Sequence, residues 1–258
     1  MFYVLSFFFG ACIGSFVQVV ATRLHVASVT KARSKCLSCG ETLRVLDLVP
    51  FFSYLFLNGK CRYCKTSYGI SALIIEMFYG VLYLFLYHFI LRGQTMPSMY
   101  FIWLLYYSLL FITFGVIALY DWAHTYIPVS YLFFYCVLTI GMLIARFIHE
   151  PTNMVLLGPI VVSLPFLLIW IISRGRGLGF GDVLLFLGVG AFFGIEQGLA
   201  VLLISIWMAA IVGVCIYIFR RKNGVRDTTI PFVPFMMLAF IIVLFTDIDI
   251  FSIARIFS

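Results

Sequence analysis

Eight apolar stretches, most of them about twenty residues long, run through this chain with hardly a charge in them. They lie near residues 2 to 21, 71 to 91, 100 to 120, 128 to 147, 155 to 173, 183 to 195, 198 to 219 and 231 to 251. About twenty apolar residues is what a helix needs to cross the hydrocarbon of a bilayer. Hydrophobic residues make up 64% of the chain and charged residues 10%, a ratio that a water-soluble domain of this size cannot bury. In lipid the backbone must satisfy its own hydrogen bonds, so such stretches are helices. The expectation is an all-α polytopic membrane protein with about eight transmembrane helices. The sixth stretch is short and is separated from the seventh by Glu196 and Gln197. It reads as a thin or tilted helix, or as a re-entrant piece packed inside protein.

Cations orient such a chain, because short cytoplasmic loops collect Lys and Arg. With the N-terminus outside, the cytoplasmic segments are 22 to 70, 121 to 127, 174 to 182 and 220 to 230. These hold Arg23, Lys31, Arg33, Lys35, Arg44, Lys60, Arg62, Lys65, Arg174, Arg176, Arg220, Arg221, Lys222 and Arg226, which leaves only Arg92, Arg146 and Arg255 of the 17 cations on the other side. The net charge of +7 is thereby explained by topology, and nucleic-acid binding is not expected. Residues 1 to 21 lack a basic leading segment and Arg23 follows the apolar run, which predicts a retained first span. Within it Gly10 and Gly14 form a Gly-x-x-x-Gly step that permits close helix packing.

Residues 22 to 70 are the sizeable soluble piece, and they contain Cys36-Leu-Ser-Cys39 and Cys61-Arg-Tyr-Cys64. Four thiolates on two tight turns suit tetrahedral zinc. The charge rule places this loop in the cytoplasm, where thiols stay reduced, and so small a module has little core without a metal. Gly40 and Lys65 follow the two knuckles as turn and solvated residues. Cys12, Cys136 and Cys215 lie in apolar spans and read as small packing residues. The expected domains are therefore a first transmembrane helix at 1–21, a cytoplasmic zinc-binding domain at 22–70, and a membrane-embedded domain at 71–258.

Two aspartates stand at the edges of apolar runs. Asp121 ends Ala118-Leu119-Tyr120-Asp121, and Asp182 ends Gly179-Phe180-Gly181-Asp182 about sixty residues downstream. A carboxylate at a membrane boundary is costly to desolvate and is usually kept for chemistry, ion movement or a structural pair. The topology puts both at the cytoplasmic side, where they can face each other and share a proton. One then takes a proton from water as it attacks a peptide carbonyl while the other donates to the carbonyl oxygen. Gly179 and Gly181, with Gly177 before them, remove side chains where an extended substrate backbone would approach a helix start. Read singly, Asp182 is equally a helix N-cap and Asp121 a solvated interface residue.

Taken together, these motifs resemble the type IV prepilin peptidases, in order and along most of the chain. Gly14-Ser15-Phe16, Val19 and Arg23-Leu24 look like the N-terminal block. Arg33-Ser34-Lys35-Cys36 with Cys39, Asp47-Leu48-Val49-Pro50 with Ser53-Tyr54, Gly59-Lys60-Cys61-Arg62 with Cys64, and Ile70-Ser71 followed by Glu76 come next. Asp121 before Ile127-Pro128, the Gly-x-Gly-Asp motif at Asp182, and Ile230-Pro231-Phe232 with Pro234-Phe235 complete the match. The resemblance implies an intramembrane aspartyl protease of the bacterial cytoplasmic membrane, with its active site at the cytoplasmic face. It would cleave the basic leader of prepilins or pseudopilins after a glycine. It would then N-methylate the new terminus with S-adenosylmethionine. It also implies that Asp121 and Asp182 are the catalytic pair and that Cys36, Cys39, Cys61 and Cys64 are the zinc ligands of a domain linked to methyl transfer. The methyl donor rests on the resemblance, since no Rossmann-type glycine loop is visible.

Gln18, His25, Val129, Leu184 and Val233 depart from the family pattern, and these departures look like the competence-associated variants of Gram-positive bacteria, which process pseudopilins. Glu76, inside the second span, is a candidate for the methyl-transfer site or for contact with the basic leader, or else a snorkelling or paired residue. The aspartate pair is also shared with the signal-peptide-peptidase and presenilin group, but that group lacks a four-cysteine loop and carries a Pro-Ala-Leu motif absent here. A transporter or proton pathway with a zinc docking loop, and a structural assembly factor, are the non-enzymatic alternatives.

Overall fold

The computed structural model describes residues 2–24, 34–36, 38–93, 97–176, 178–222 and 230–257. Gly177, His25, Lys31, Arg33 and Arg226 lie outside the described residues. The helices are α1 (Phe2–Arg23), α2 (Phe52–Phe56), α3 (Ser71–Gly93), α4 (Pro97–His124), α5 (Val129–His149), α6 (Asn153–Ser173), α7 (Phe180–Phe193), α8 (Ile195–Lys222), α9 (Val233–Thr246) and α10 (Ile250–Phe257), with a 3-10 turn at Val45–Leu48. Six of them are long and apolar enough to cross a membrane, and α7 and α9 are shorter apolar helices. All eight lie where the apolar stretches predict them, in a multi-pass membrane protein. The chain divides into two compact units, 1–112 and 113–258, with the boundary inside α4.

In the first unit α1 and α3 pack antiparallel. A Cβ on Gly14 would come within 2.9 Å of the Ile75 carbonyl and one on Gly10 would strike Tyr79 and Tyr83, while Ser6 donates to the Tyr83 carbonyl at 2.8 Å. The Gly-x-x-x-Gly step is thus the seam of this pair, where missing side chains let two backbones meet. Cys12 is exposed on the opposite face of α1, and Cys215 is exposed on α8, so neither serves as a packing residue.

The second unit is built around α7, which is buried along most of its length. Gly190 of α7 meets Gly158 of α6 backbone to backbone, and Gly188 meets the Tyr135 ring of α5. The Tyr135 hydroxyl donates to the Leu185 carbonyl at 3.2 Å. At 14 residues, α7 is about 21 Å long, shorter than the hydrocarbon it would have to cross. It stops at Gly194, which takes φ +83° and leaves no room for a Cβ beside Arg146. Arg146 reaches in from α5 and donates to the Phe192 carbonyl at 3.2 Å, satisfying one of the free carbonyls at the helix end. The last apolar stretch is also cut short, because the helix ends at a left-handed Asp247 (φ 53°) and restarts as α10 with the Asp249 side chain accepting the Ser252 N–H at 2.6 Å.

Candidate active site and metal centre

Asp121 occupies the last turn of α4 and is only 7% exposed, so it is no solvated interface residue. Its Oδ2 accepts the Val233 N–H at 3.0 Å. The Ile230 to Phe235 motif therefore delivers a main-chain donor to this carboxylate, at the start of α9, where unpaired N–H groups favour an anion. Nothing local in the sequence announces this contact.

Asp182 is the third residue of α7, with Gly179 at the N-cap. The Asp182 N–H donates to the Gly179 carbonyl at 3.1 Å, and its carboxylate stands in the first turn, where the free N–H groups of a helix start favour an acid. Gly181 has a separate reason to be glycine: a Cβ there would lie 2.8 Å from Ile127 Cδ1 and 3.2 Å from Ile127 Cβ. The start of α7 is thus seated directly against Ile127, just ahead of α5.

The two carboxylates are close enough for their charges to interact, and both line one cavity of about 760 Å³. The rest of its wall is largely apolar, including Phe166 and Ile169 of α6, Ile206 of α8, and Phe232. Phe166, Phe186 and Phe232 form one aromatic cluster, with Phe166 and Phe186 stacked at 4.2 Å and Phe166 and Phe232 at 5.5 Å. A cavity of this size is typical of a binding site. An acid pair on a mostly apolar wall suits a polypeptide backbone that must be held dry while water attacks it. Gly179 lines the cavity too; His124 stacks on Tyr120 at 4.5 Å.

In the first unit, the cysteines form two copies of one turn. Cys36 N–H bonds to Glu41 O and Gly40 N–H to Cys36 O, and in the second copy Cys61 N–H bonds to Thr66 O and Lys65 N–H to Cys61 O. Each turn is closed by an isolated bridge, Lys35 to Thr42 and Lys60 to Ser67. Gly40 and Lys65 occupy the same place, both with positive φ. All four sulfurs lie within 4.8 Å of one another, with Cys36 and Cys64 at 3.7 Å. Thiolates held tetrahedrally at about 2.3 Å from one ion stand ~3.8 Å apart, so the set fits a single metal ion.

Asp47 ties the 3-10 turn to the second knuckle. It is buried and pairs with Arg62 at 2.7 Å, and its other oxygen accepts the Arg44 N–H at 3.2 Å. Glu76 is also buried and accepts the Phe51 N–H at 2.8 Å.

Two family models cover most of the chain. Residues 8–90 match the bacterial peptidase A24 N-terminal domain, and residues 108–214 match the type IV leader peptidase family. Among curated proteins, a prepilin leader peptidase/N-methyltransferase of Legionella pneumophila is 31% identical over 83% of this chain and 72% of its own length. Relatives of the same name from Bacillus subtilis and Myxococcus xanthus are 26% identical over 89% of this chain and 88% of the relative, and 28% identical over 88% of this chain. The chain spans 66% of the Myxococcus protein's length. No solved structure matches significantly. The two domain models and the Legionella relative establish that this chain belongs to the type IV leader peptidase family.

Proposed function

We propose that this chain removes the N-terminal leader of prepilins or pseudopilins with Asp121 and Asp182 as its acid and base, and N-methylates the terminus it exposes. The observation that carries the reading is the cavity the two aspartates share, reached from helices about sixty residues apart in sequence. One carboxylate, ionised, takes a proton from a water whose oxygen attacks the scissile carbonyl carbon. The other, protonated, gives its proton to the carbonyl oxygen, and a tetrahedral diol forms. Collapse of the diol breaks the C–N bond as the carboxyl that took the water proton passes it to the leaving nitrogen and the other carboxylate takes a hydroxyl proton from the diol, so leader acid and new amine leave and the pair again holds one shared proton. Gly179, which lines the cavity, leaves its stretch of the wall without a side chain beside the extended substrate.

Zinc is the ion for the four-thiolate set, by donor type and spacing, in a lobe associated with methyl transfer. S-adenosylmethionine is the donor implied by the methyltransferase relatives. The described residues contain no strand, so a Rossmann-type nucleotide site does not fit. Glu76 enters that activity by position, through its hold on Phe51. The cation distribution supports an N-terminus outside and an active site at the cytoplasmic face. The departures at Gln18, Val129, Leu184 and Val233 favour pseudopilins of a DNA-uptake apparatus as substrates.

The test is incubation of the purified enzyme in detergent with pilin and competence-type precursors, followed by mass. The reading requires loss of the leader after its glycine, and a gain of one methyl group once S-adenosylmethionine is added. An enzyme silent on all precursors, but active only across a membrane gradient, is a transporter instead.

A further inference from the structure

The connection between α1 and α3 does not stay at the end of the helix pair from which it leaves. The chain leaves α1 at Arg23 and rejoins α3 at Ser71, yet Phe52 stacks on Phe8 of α1, with ring centroids 5.4 Å apart and planes at 19°. Counted back from Arg23, Phe8 lies about 22 Å along the helix at 1.5 Å per residue. Next to it in sequence, Phe51 donates its N–H to Glu76 at 2.8 Å, and α3 carries Glu76 more than a turn inside its start. Phe51 takes φ 65° and ψ −54°, and the Phe52 N–H reaches the Pro50 carbonyl at 2.7 Å. This is a γ-turn of the rare, strained kind, sustained where a buried acceptor over-determines it.

The composition of the dipping segment agrees with its depth. Val45 to Leu57 reads VLDLVPFFSYLFL, with Asp47 its one charge, and that charge is turned inward onto Arg62. Facing outward are Val45, Leu46 and Phe56, at 75%, 73% and 83% exposure, with Leu55 beside them. Water gives no reason to display such side chains, and α1 continues the same surface with exposed Leu5, Phe9 and Phe16. Irregular backbone at membrane depth needs its polar groups bonded within protein. Here the N–H groups of Ser53, Leu55 and Leu57 bond to Val49, Phe51 and Ser53, and that of Phe51 bonds to Glu76.

We propose that Val45–Leu57 is a re-entrant membrane element whose exposed apolar side chains lie among lipid acyl chains, pinned at its turn by Glu76. Continuity with the outward face of α1 selects lipid as the occupant. The element carries one cysteine knuckle on each side of it in sequence and so fixes the metal lobe against the membrane surface. The inference rests on α1 and α3 being spans and is independent of the peptidase chemistry.

A photoreactive benzophenone analogue of phenylalanine, placed singly at Leu46, Phe56, Phe85 or Glu41 of the full chain in native vesicles, tests this. Phe85 is exposed on α3 and reports a lipid-facing site; Glu41 sits in the first knuckle. Illumination is expected to give phospholipid adducts at 46 and 56 within a few-fold of the yield at 85, and none at 41. Absence of lipid adducts at 46 and 56 while 85 reacts overturns the proposal. Adducts there to another polypeptide in place of lipid overturn it as well, and assign the face to a protein partner.

Discussion

Asp121 accepts a 3.0 Å hydrogen bond from the backbone N–H of Val233, a residue 112 positions further along the chain. The closing motif thus acts on the candidate acid–base pair through its main chain, not through a side chain. Val233→Pro deletes that donor and also presses Phe232 out of the αR conformation it holds at φ −94° and ψ −33°, which is disfavoured for a residue before proline. Loss of one hydrogen bond to a charged group costs about 1.5 to 3 kcal/mol, so leader cleavage is expected to fall roughly 10 to 100-fold, mainly in kcat. Unchanged kcat with a folded protein contradicts this role for the N–H.

Gly181→Ala places a methyl 2.8 Å from Ile127 Cδ1 and pushes the start of α7, with Asp182 on it, off Ile127. Overpacking of this kind costs about 1 to 3 kcal/mol. Cleavage should drop accordingly, and Ile127→Ala in the same chain should restore part of it. Activity measured around this double-mutant cycle decides: additive losses would show that the two residues do not communicate.

Asp47 gives the metal lobe an acid-sensitive joint. Burial pushes its carboxyl up, but the Arg62 guanidinium and the Arg44 N–H outweigh burial and hold it below the usual carboxylate range. Its stabilisation is complete above the unfolded value of about 4 and disappears as pH falls through the lower folded value. Asp47→Asn should therefore lower the melting temperature at neutral pH, and the gap from wild type should close on acidification below about 4. A gap that widens with acid contradicts the pairing.

Chelation, or Cys61→Ser, removes a ligand set on which so small a lobe depends for its fold. One bound metal per chain is expected by elemental analysis, and its loss should abolish methyl transfer while sparing cleavage, since the aspartates belong to the other unit. Equal loss of both activities would contradict that separation.

Hydropathy dictated where the helices lie, because a stretch of apolar residues in lipid has few other solutions. The cysteine cluster was legible for a similar reason: two C-x-x-C turns bring four sulfurs together only in a few ways. Where helices stop was less legible. α7 ends at Gly194 under Arg146 and α9 at a left-handed Asp247, both set by local backbone geometry and a distant side chain. The Phe51 bond to Glu76 and the Val233 bond to Asp121 left no local signal at all, since each joins a backbone donor to an acid far away in sequence. The interval 22 to 70 reads as one soluble loop on charge, and its apolar middle is visible only once Phe52 is found against Phe8.

The most direct test of the aspartate pair compares leader cleavage in detergent by wild type, Asp121→Asn and Asp182→Asn, with folding checked by an unchanged melting profile. Each substitution alone is expected to abolish cleavage, because neither amide can exchange the proton its partner needs. Folded Asn variants that cleave as well as wild type would show that Asp121 and Asp182 do not perform the chemistry.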